Sequence, residues 1–514
     1  MSDIIHLPEN LSGVHIHFVG IKGTGMAALV EILFHNGAII TGSDVSERFY
    51  TDEILEKLGL KALPFSEKNI TDDIQYVVYS SAYKPETNPD LKEAFKRGIP
   101  CLLYTQALGS YSSRAYSCGI CGVHGKTTTT GITGTILKNI KNLPCQILAG
   151  SIINSFGKTC TYTSKNVMDK SFSKDFEITN ASFNSIFVAE TCEYQRHFMS
   201  FFPQKILLTS VESDHQDYYP TYEDIRDAFV DYICKLPEHG DLIYCADDKG
   251  AVEAALLAYN KRPDINLVPY GENSGSEYKL KFGKVEDEKN KFSMEIFGNK
   301  ELYLKVPGMH DVRDACGAVA LVCQILRYFG KHPADYAEDI LNGLKEFSGG
   351  KRRSEITGHF TSKNGNDVIV IDDYGHHPTA VKTTLEGYRD FYKGRKIIVD
   401  FMSHTYSRTQ GLLQEFAQST QSADVIILNK IYSSARENAS DFNITGKTLY
   451  EETVKYNSKD KVFYYEEATD ALDFVTKLIE EPLSKDYPDG YILVTMGAGD
   501  NWKLGSKLIE EYNK

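Results

Sequence analysis

The stretch that decides the fold is Cys118-Gly119-Ile120-Cys121-Gly122-Val123-His124-Gly125-Lys126-Thr127-Thr128-Thr129-Thr130. An apolar run of β character, Ala115 to Cys121, enters a glycine-bearing turn, and Lys126-Thr127 then opens a segment to Lys138 that can wind as a helix. Strand, glycine turn and helix in that order make a phosphate cradle. Backbone N–H groups and the helix N-terminus face the oxyanions, Lys126 reaches the terminal phosphates, and the Thr127 hydroxyl is offered to Mg2+. Ile120 stands where the full motif has its first glycine, leaving G-x-x-G-K-T. The expected ligand is ATP; a glycine-rich turn before an ordinary helix is the plain alternative.

Upstream, Val14 to Val19 reads as a strand, Gly20-Ile21-Lys22-Gly23-Thr24-Gly25-Met26 as a tight turn, and Ala27 to His35 as a helix. A second strand, Ala38 to Thr41, ends in Gly42-Ser43-Asp44, an acid placed where dinucleotide folds hold a ribose. That pattern admits an NAD-dependent dehydrogenase, but the middle position of G-x-G-x-x-G, where the backbone must approach a pyrophosphate, is Lys22. Tyr76 to Tyr79 is a further strand, delivering Ser80 and Ser81 at the edge where open α/β sheets bind ligands. A boundary falls near Ser110 to Ser113.

Downstream, Ala149 to Asn154 reads as a small-residue turn able to touch a substrate, and Lys158 to Asn184 as a polar surface insertion without chemistry. Two strands then end in Glu190 and in Ser210-Val211-Glu212-Ser213-Asp214-His215. Glu190 and His215 beside Lys126-Thr127 suit a Mg2+ shell completed by ATP oxygens and water. Tyr278 to Val306 alternates as a β-hairpin region, Val312 to Tyr328 and Asp335 to Phe347 are helical, and Gly349 to Arg353 is a flexible basic joint whose arginine could neutralise a transferring phosphate. Beyond it lie four strands of a parallel sheet: Asp367 to Ile371, Lys396 to Asp400, Val425 to Leu428 and Tyr491 to Val494. Their ends bring His376, His377, His404 and Arg408 to one edge, a set that favours carboxylate recognition over a zinc site, since no H-x-x-x-H or cysteine set accompanies it.

With 514 residues the chain exceeds one core, and 42% hydrophobic with 25% charged residues is ordinary globular composition. A net charge of -14 argues against a general nucleic-acid or anionic-membrane binder. No secretory signal and no bilayer-length apolar run is visible, so a cytoplasmic protein is expected, with its 10 scattered cysteines as buried thiols.

Taken together, G-V-H-G-K-T-T-T-T, E-T-C-E-Y-Q-R-H-F, E-S-D-H, P-G-M-H, K-R-R-S-E, D-D-Y-G-H-H-P-T, H-T-Y-S-R-T and G-A-G-D, with H-F-V-G-I-K-G-T-G-M and G-S-D near the start, resemble the Mur ligase family. The resemblance runs in unbroken order over nearly the whole chain. It implies three α/β domains: a Rossmann-like unit for a UDP-sugar (residues 1–112), a central P-loop ATPase-type unit (113–349), and a Rossmann-like unit that brings the amino acid (350–514). The implied reaction is ATP-dependent ligation of L-alanine to the lactyl carboxylate of UDP-N-acetylmuramate, by a monomer or homodimer; a ligase recycling a whole tripeptide onto the same nucleotide sugar is the nearest alternative. The implied ATP site is Gly122, His124, Gly125, Lys126, Thr127, Thr128, His310, Arg352 and Asp373, with Thr127, Glu190 and His215 at Mg2+. Gly20, Gly23, Gly25, Met26, Asp44, Ser80 and Ser81 would cradle the uridine diphosphate; Tyr374, His376, His404 and Arg408 would meet the alanine and the muramyl carboxylate. Lys126, Glu190, His215, Arg352 and His377 would carry catalysis. Ser210, Asp311 and Asp314 depart from the asparagines usual at those places, and Phe401-Met402-Ser403 from the usual F-Q-P.

Overall fold

The computed structural model describes residues 5–169, 183, 185–433, 437 and 439–513. The chain forms three α/β units and a small meander. The first sheet is wholly parallel, in the order β2-β1-β3-β4, from β1 (His15–Val19), β2 (Ile39–Ser43), β3 (Tyr76–Tyr79) and β4 (Cys101–Leu103). Every residue of β1 is buried, as a parallel strand covered on both faces requires. The chain reverses direction across the sheet between β1 and β3, so the Gly20 turn lies at a topological switch point.

The second sheet runs β11-β10-β9-β5-β8-β6-β7, from β5 (Tyr116–Cys121), β6 (Cys145–Ile153), β7 (Thr159–Thr163), β8 (Ile186–Glu190), β9 (Lys205–Leu208), β10 (Asp241–Cys245) and β11 (Asn266–Tyr270). From β5 the helix Lys126–Asn139 carries the chain to β6, two places away, and β8 returns to fill the gap. This places β8 and β9 on either side of β5, so that Glu190 and the Ser210 to His215 segment flank the phosphate loop. The antiparallel meander of β12 (Leu280–Glu286), β13 (Lys289–Met294) and β14 (Glu301–Leu304) occupies the expected hairpin region and leads to the helix Met309–Tyr328.

The third sheet, β15-β16-β20-β17-β18-β19, uses β15 (Glu355–Thr361), β16 (Asp367–Asp373), β17 (Arg395–Met402), β18 (Val425–Leu428), β19 (Val462–Tyr464) and β20 (Gly490–Gly497). The four expected strands are parallel as read, but the sheet is larger. β19 extends it in parallel and β15 closes the other edge antiparallel. β15 is mostly solvated, so its sequence carries no apolar run.

Three further expectations are corrected. Part of the supposed insertion is structured: Thr159–Thr163 pairs antiparallel with β6, an edge strand whose threonines look polar because one side meets solvent; residues 170–182 and 184 lie outside the described residues. Ala149 to Ile153 is not a turn but the end of β6, where the Gly150 amide donates to Glu190 Oε2 at 2.7 Å. The basic joint is pinned rather than loose, because Lys351 N donates to Ile152 O at 2.8 Å and Asn154 N to Gly349 O at 3.1 Å.

Candidate active site

The loop after β5 turns through Gly122 at φ +138° and Gly125 at φ +78°, a backbone that side-chain-bearing residues rarely adopt. Space adds a second demand at Gly125, where a Cβ would lie 2.5 Å from Asp314 Oδ1. Neighbouring β9 braces the loop: Val123 N donates to Ser210 O at 3.1 Å, and His124 N to Ser210 Oγ at 2.9 Å. Ser210 therefore serves the loop through its hydroxyl and carbonyl where the family pattern has asparagine.

Lys126 folds back over this loop. Its Nζ donates to Gly122 O and to Val123 O and pairs with Glu193 Oε2 at 2.9 Å. Burial pushes the Glu193 carboxyl up, but Lys126 and then His215 outweigh it and hold it below the ordinary range. Burial likewise opposes the charge on Lys126, and Glu193 overcomes it. His215, at φ +55°, brings Nε2 to 3.3 Å from Glu193 Oε1. Thr127 Oγ1 donates to Glu190 Oε1 at 3.1 Å. A hydroxyl and a carboxylate at one wall are hard oxygen donors, of which Mg2+ takes one or two while keeping water and phosphate oxygens, so this donor set fits that ion.

These groups open onto a cavity of about 500 Å³ between the central and carboxyl-terminal units. Its lining includes His124, Gly125, Lys126, Thr127, Thr128, Glu190, His215, His310, Asp373, Tyr374, His376 and His377 from the sequence-derived set. Asp373 is fixed by Ser354 N at 2.7 Å and Gly375 N at 2.8 Å. Asp311 and Asp314 are buried at the same wall and their carboxyls are raised by burial, Asp314 the more because Asp311 is its neighbour. His376 and His377 are driven below the ordinary histidine range, first by burial and then by Arg408 and His124 respectively, His377 to about 4. Both are therefore neutral imidazoles at physiological pH.

Arg352 does not take the place expected of it at the phosphate. Its Nε donates to Asp372 Oδ2 at 2.8 Å and its Nη2 to Gly497 O at 2.7 Å, which turns it into the third sheet. Arg353 lines the cavity instead, with Nη2 at 3.5 Å from Thr127 Oγ1. Arg408 is also committed elsewhere: Nη2 donates to Asp214 Oδ1 at 2.7 Å and Nε at 3.0 Å, in a pair buried on both sides. Burial raises Asp214, and Arg408 with His215 and His376 carries it back well below the carboxylate range. His404 stands beside His376, ring centres 6.2 Å apart.

The amino-terminal set does not line the cavity. There Asp44 accepts from Lys22 N at 2.7 Å, Val45 N at 2.8 Å and Tyr83 Oη at 3.0 Å, so its carboxylate is already engaged. Lys22 turns its own side chain to Val45 O, Glu47 O and Asp52. A Cβ on Gly20 would strike Tyr83, and one on Gly25 would strike Tyr104, so Gly20 and Gly25 keep the turn close to these rings. Gly23 N donates to Gly20 O at 3.2 Å within the turn, Met26 is buried, and Ser80 and Ser81 follow β3. Tyr50 links this unit to the joint, its hydroxyl bonded to Thr24 Oγ1 and its ring 5.5 Å from Lys351 Nζ.

The sequence marks no role for Glu193, Glu212 or Asp214, and within the basic joint it points to Arg352 where the structure brings Arg353 to the cavity. The first three lie inside the quoted segments, three residues after Glu190 and one or three before His215. Their partners sit tens to nearly two hundred residues away, so no local spacing marks them.

Three α/β units with a Gly-Lys-Thr loop and a carboxylate beside it make a nucleotide-binding architecture, and the chain belongs to the Mur ligase family. Residues 15–116 match its catalytic domain, 120–322 its middle domain and 352–499 its glutamate ligase domain. The chain is 44% identical over 510 residues to the UDP-N-acetylmuramate--L-alanine ligase of Treponema pallidum, covering 99% of this chain and 98% of that one. Among solved structures it resembles the UDP-N-acetylmuramate-alanine ligase of Thermotoga maritima (TM-score 0.70, 22% identity, 97% and 99% covered) and a murein peptide ligase from Psychrobacter arcticus (TM-score 0.63, 21%, 98% and 99%). At those identities the structural likeness speaks for the fold.

Proposed function

We propose that the chain ligates L-alanine to the lactyl carboxylate of UDP-N-acetylmuramate at the expense of ATP, a step of peptidoglycan synthesis. The observation that carries the reading is the joint placement of Lys126, Thr127, Glu190 and Glu193 at one wall of the cavity, with His376 and His377 on the facing unit. A carboxylate is a poor electrophile, so the γ-phosphoryl group is transferred to it first. The alanine amine then attacks the acyl phosphate, and the tetrahedral intermediate expels phosphate.

In this reading Lys126 and Arg353 offset the charge of the transferring phosphoryl group. Thr127 and Glu190, with His215 behind them, would hold Mg2+, which when bound shields the phosphate oxygens from the incoming carboxylate. Asp373 and His310 face the nucleoside. His376, kept neutral, is a hydrogen-bond acceptor facing the site where the alanine amine must come. The Gly20 to Met26 turn, Asp44, Ser80 and Ser81 take the uridine diphosphate in the first unit. The chain divides at 112/113 and 349/350 and works in the cytoplasm where ATP is supplied, as a monomer or homodimer.

Phosphate release with UDP-N-acetylmuramate, ATP and either L-alanine or a stem tripeptide, with the product weighed by mass spectrometry, tests the reading. Alanine-dependent release and a product heavier by one alanyl residue are expected; release with the tripeptide alone moves the chain to the recycling reaction. Lys126→Ala removes most turnover, by about 10²–10³-fold or more.

A further inference from the structure

We propose that His124, Glu212 and His377 form a ligand set for a divalent ion of the zinc class, assembled across the seam between the central and carboxyl-terminal units. His124 belongs to the phosphate loop, Glu212 to the segment after β9, and His377 caps the helix Pro378–Phe391 of the other unit. Their donor atoms all lie within 4.8 Å of one another. His124 Nε2 is 2.9 Å from Glu212 Oε2, His377 Nδ1 is 3.8 Å from the same oxygen, and the two rings are 4.8 Å apart.

The donor chemistry selects the ion. Two imidazoles and one carboxylate, with a fourth position left open, is a set that Zn2+ takes, and Co2+ and Ni2+ follow it; Mg2+ prefers the oxygen pair of Thr127 and Glu190. The carboxylate is already oriented, because Thr379 Oγ1 donates to Glu212 Oε1 at 2.8 Å and leaves Oε2 toward the histidines. His377 is buried and neutral, the protonation state a ligand needs. Its present contacts are long, 3.3 Å from Nε2 to Ser213 O and 3.4 Å from Thr379 N to Nδ1, so little is lost when a ring nitrogen turns to a metal. An ion bound here ties the phosphate loop to the opposite unit and holds the units together. Zn2+ added beside saturating Mg2+ therefore slows turnover, whichever amino acid is ligated.

The full chain, free of nucleotide and in excess Mg2+, is titrated with Zn2+ by calorimetry, and the Co2+- and Zn2+-loaded protein is read by X-ray absorption. One ion per chain with two imidazoles and no sulfur in its shell is expected. His377→Gln and Glu212→Gln should each weaken Zn2+ binding by at least about tenfold, since even outer-shell losses cost that much, while Glu190→Gln leaves it unchanged. No stoichiometric binding, a single imidazole, sulfur in the shell, or binding lost in Glu190→Gln and intact in His377→Gln overturns the proposal. The absorption result on the unaltered chain decides the matter even where a variant does not fold.

Discussion

The two seams of the molecule are built from opposite materials. Between the first and second units runs one continuous apolar cluster, from Leu7 and Ile16 through Tyr111 to Phe187, Phe229 and Ile265. Polar contacts accompany this cluster, such as Asn36 Nδ2 and Tyr111 Oη meeting Gln146 Oε1 and Phe202 N donating to Ser112 Oγ. The third unit has two clusters of its own, one on each face of its sheet, and every buried apolar member lies between residues 360 and 508. Its polar contacts with the second unit include Arg408 with Asp214, Thr379 with Glu212 and His377 with Ser213 O. Apolar area is non-directional and binds two units into one body, whereas a few directional polar contacts can be made and broken as a set. The reacting cavity lies at the second kind of seam. The joint beside it holds two non-glycine residues in left-handed backbone, Arg352 at φ +55° and Ser354 at φ +50°, strain of the sort that collects at switching sites.

The sharpest way to break this contrast is Arg408→Ala. It leaves Asp214 buried without its guanidinium, a loss of about 3–5 kcal/mol for a broken buried pair. Turnover should fall by roughly two orders of magnitude while the thermal transition of the first two units stays in place; near-normal turnover would show that this pair does not govern closure. Phe187→Ala attacks the other seam. The ring is fully buried, 5.1 Å from Tyr111 and 6.1 Å from Phe201, and its loss should lower stability by about 3–5 kcal/mol. Calorimetry should show the first two units still melting together, and two separate transitions for them would contradict the single-body description.

Glu193→Gln sharpens the comparison from inside the second unit. It keeps the shape and removes the charge that holds Lys126, worth about 1.5–3 kcal/mol as a charged hydrogen bond. The expected result is a kcat lower by about 10–100-fold with an unchanged small-angle scattering profile, because no seam contact is touched. Smallest is Glu31→Gln. Burial lifts this carboxyl to about 7, above its ordinary 4.5, against opposing contacts from Thr161, Lys57 and Cys160. The folded chain thus binds the extra proton between those values, so the contribution is present at low pH and is lost as pH rises through 7. Denaturant melts at pH 5 and pH 8 should differ by about 2 kcal/mol from this group, and the glutamine variant should lose that difference.

The units were legible because each rests on local signals: short apolar runs that end at glycines or acids, as at Gly122, Glu190 and Asp372. The edge strands escaped, since Thr159–Thr163 and Glu355–Thr361 keep part of their surface in solvent and never form such a run. The site was half legible. Lys126, Thr127, Glu190 and His215 could be named from strand ends, but the exchange of Arg352 for Arg353 depends on which guanidinium finds Asp372. That choice is fixed by the positive φ of Arg352 and by carbonyls of Gly497 and Gly499 nearly 150 residues away. The pairing of Asp214 with Arg408, 194 residues apart, has no trace in spacing at all.

The central claim, that the two units close on ATP so that a carboxylate is phosphorylated before an amine captures it, is tested most directly with UDP-N-acetylmuramate carrying 18O in its lactyl carboxylate. Turnover with ATP and L-alanine should deliver one labelled oxygen into the released phosphate, read by mass spectrometry. Unlabelled phosphate beside a formed amide would contradict it.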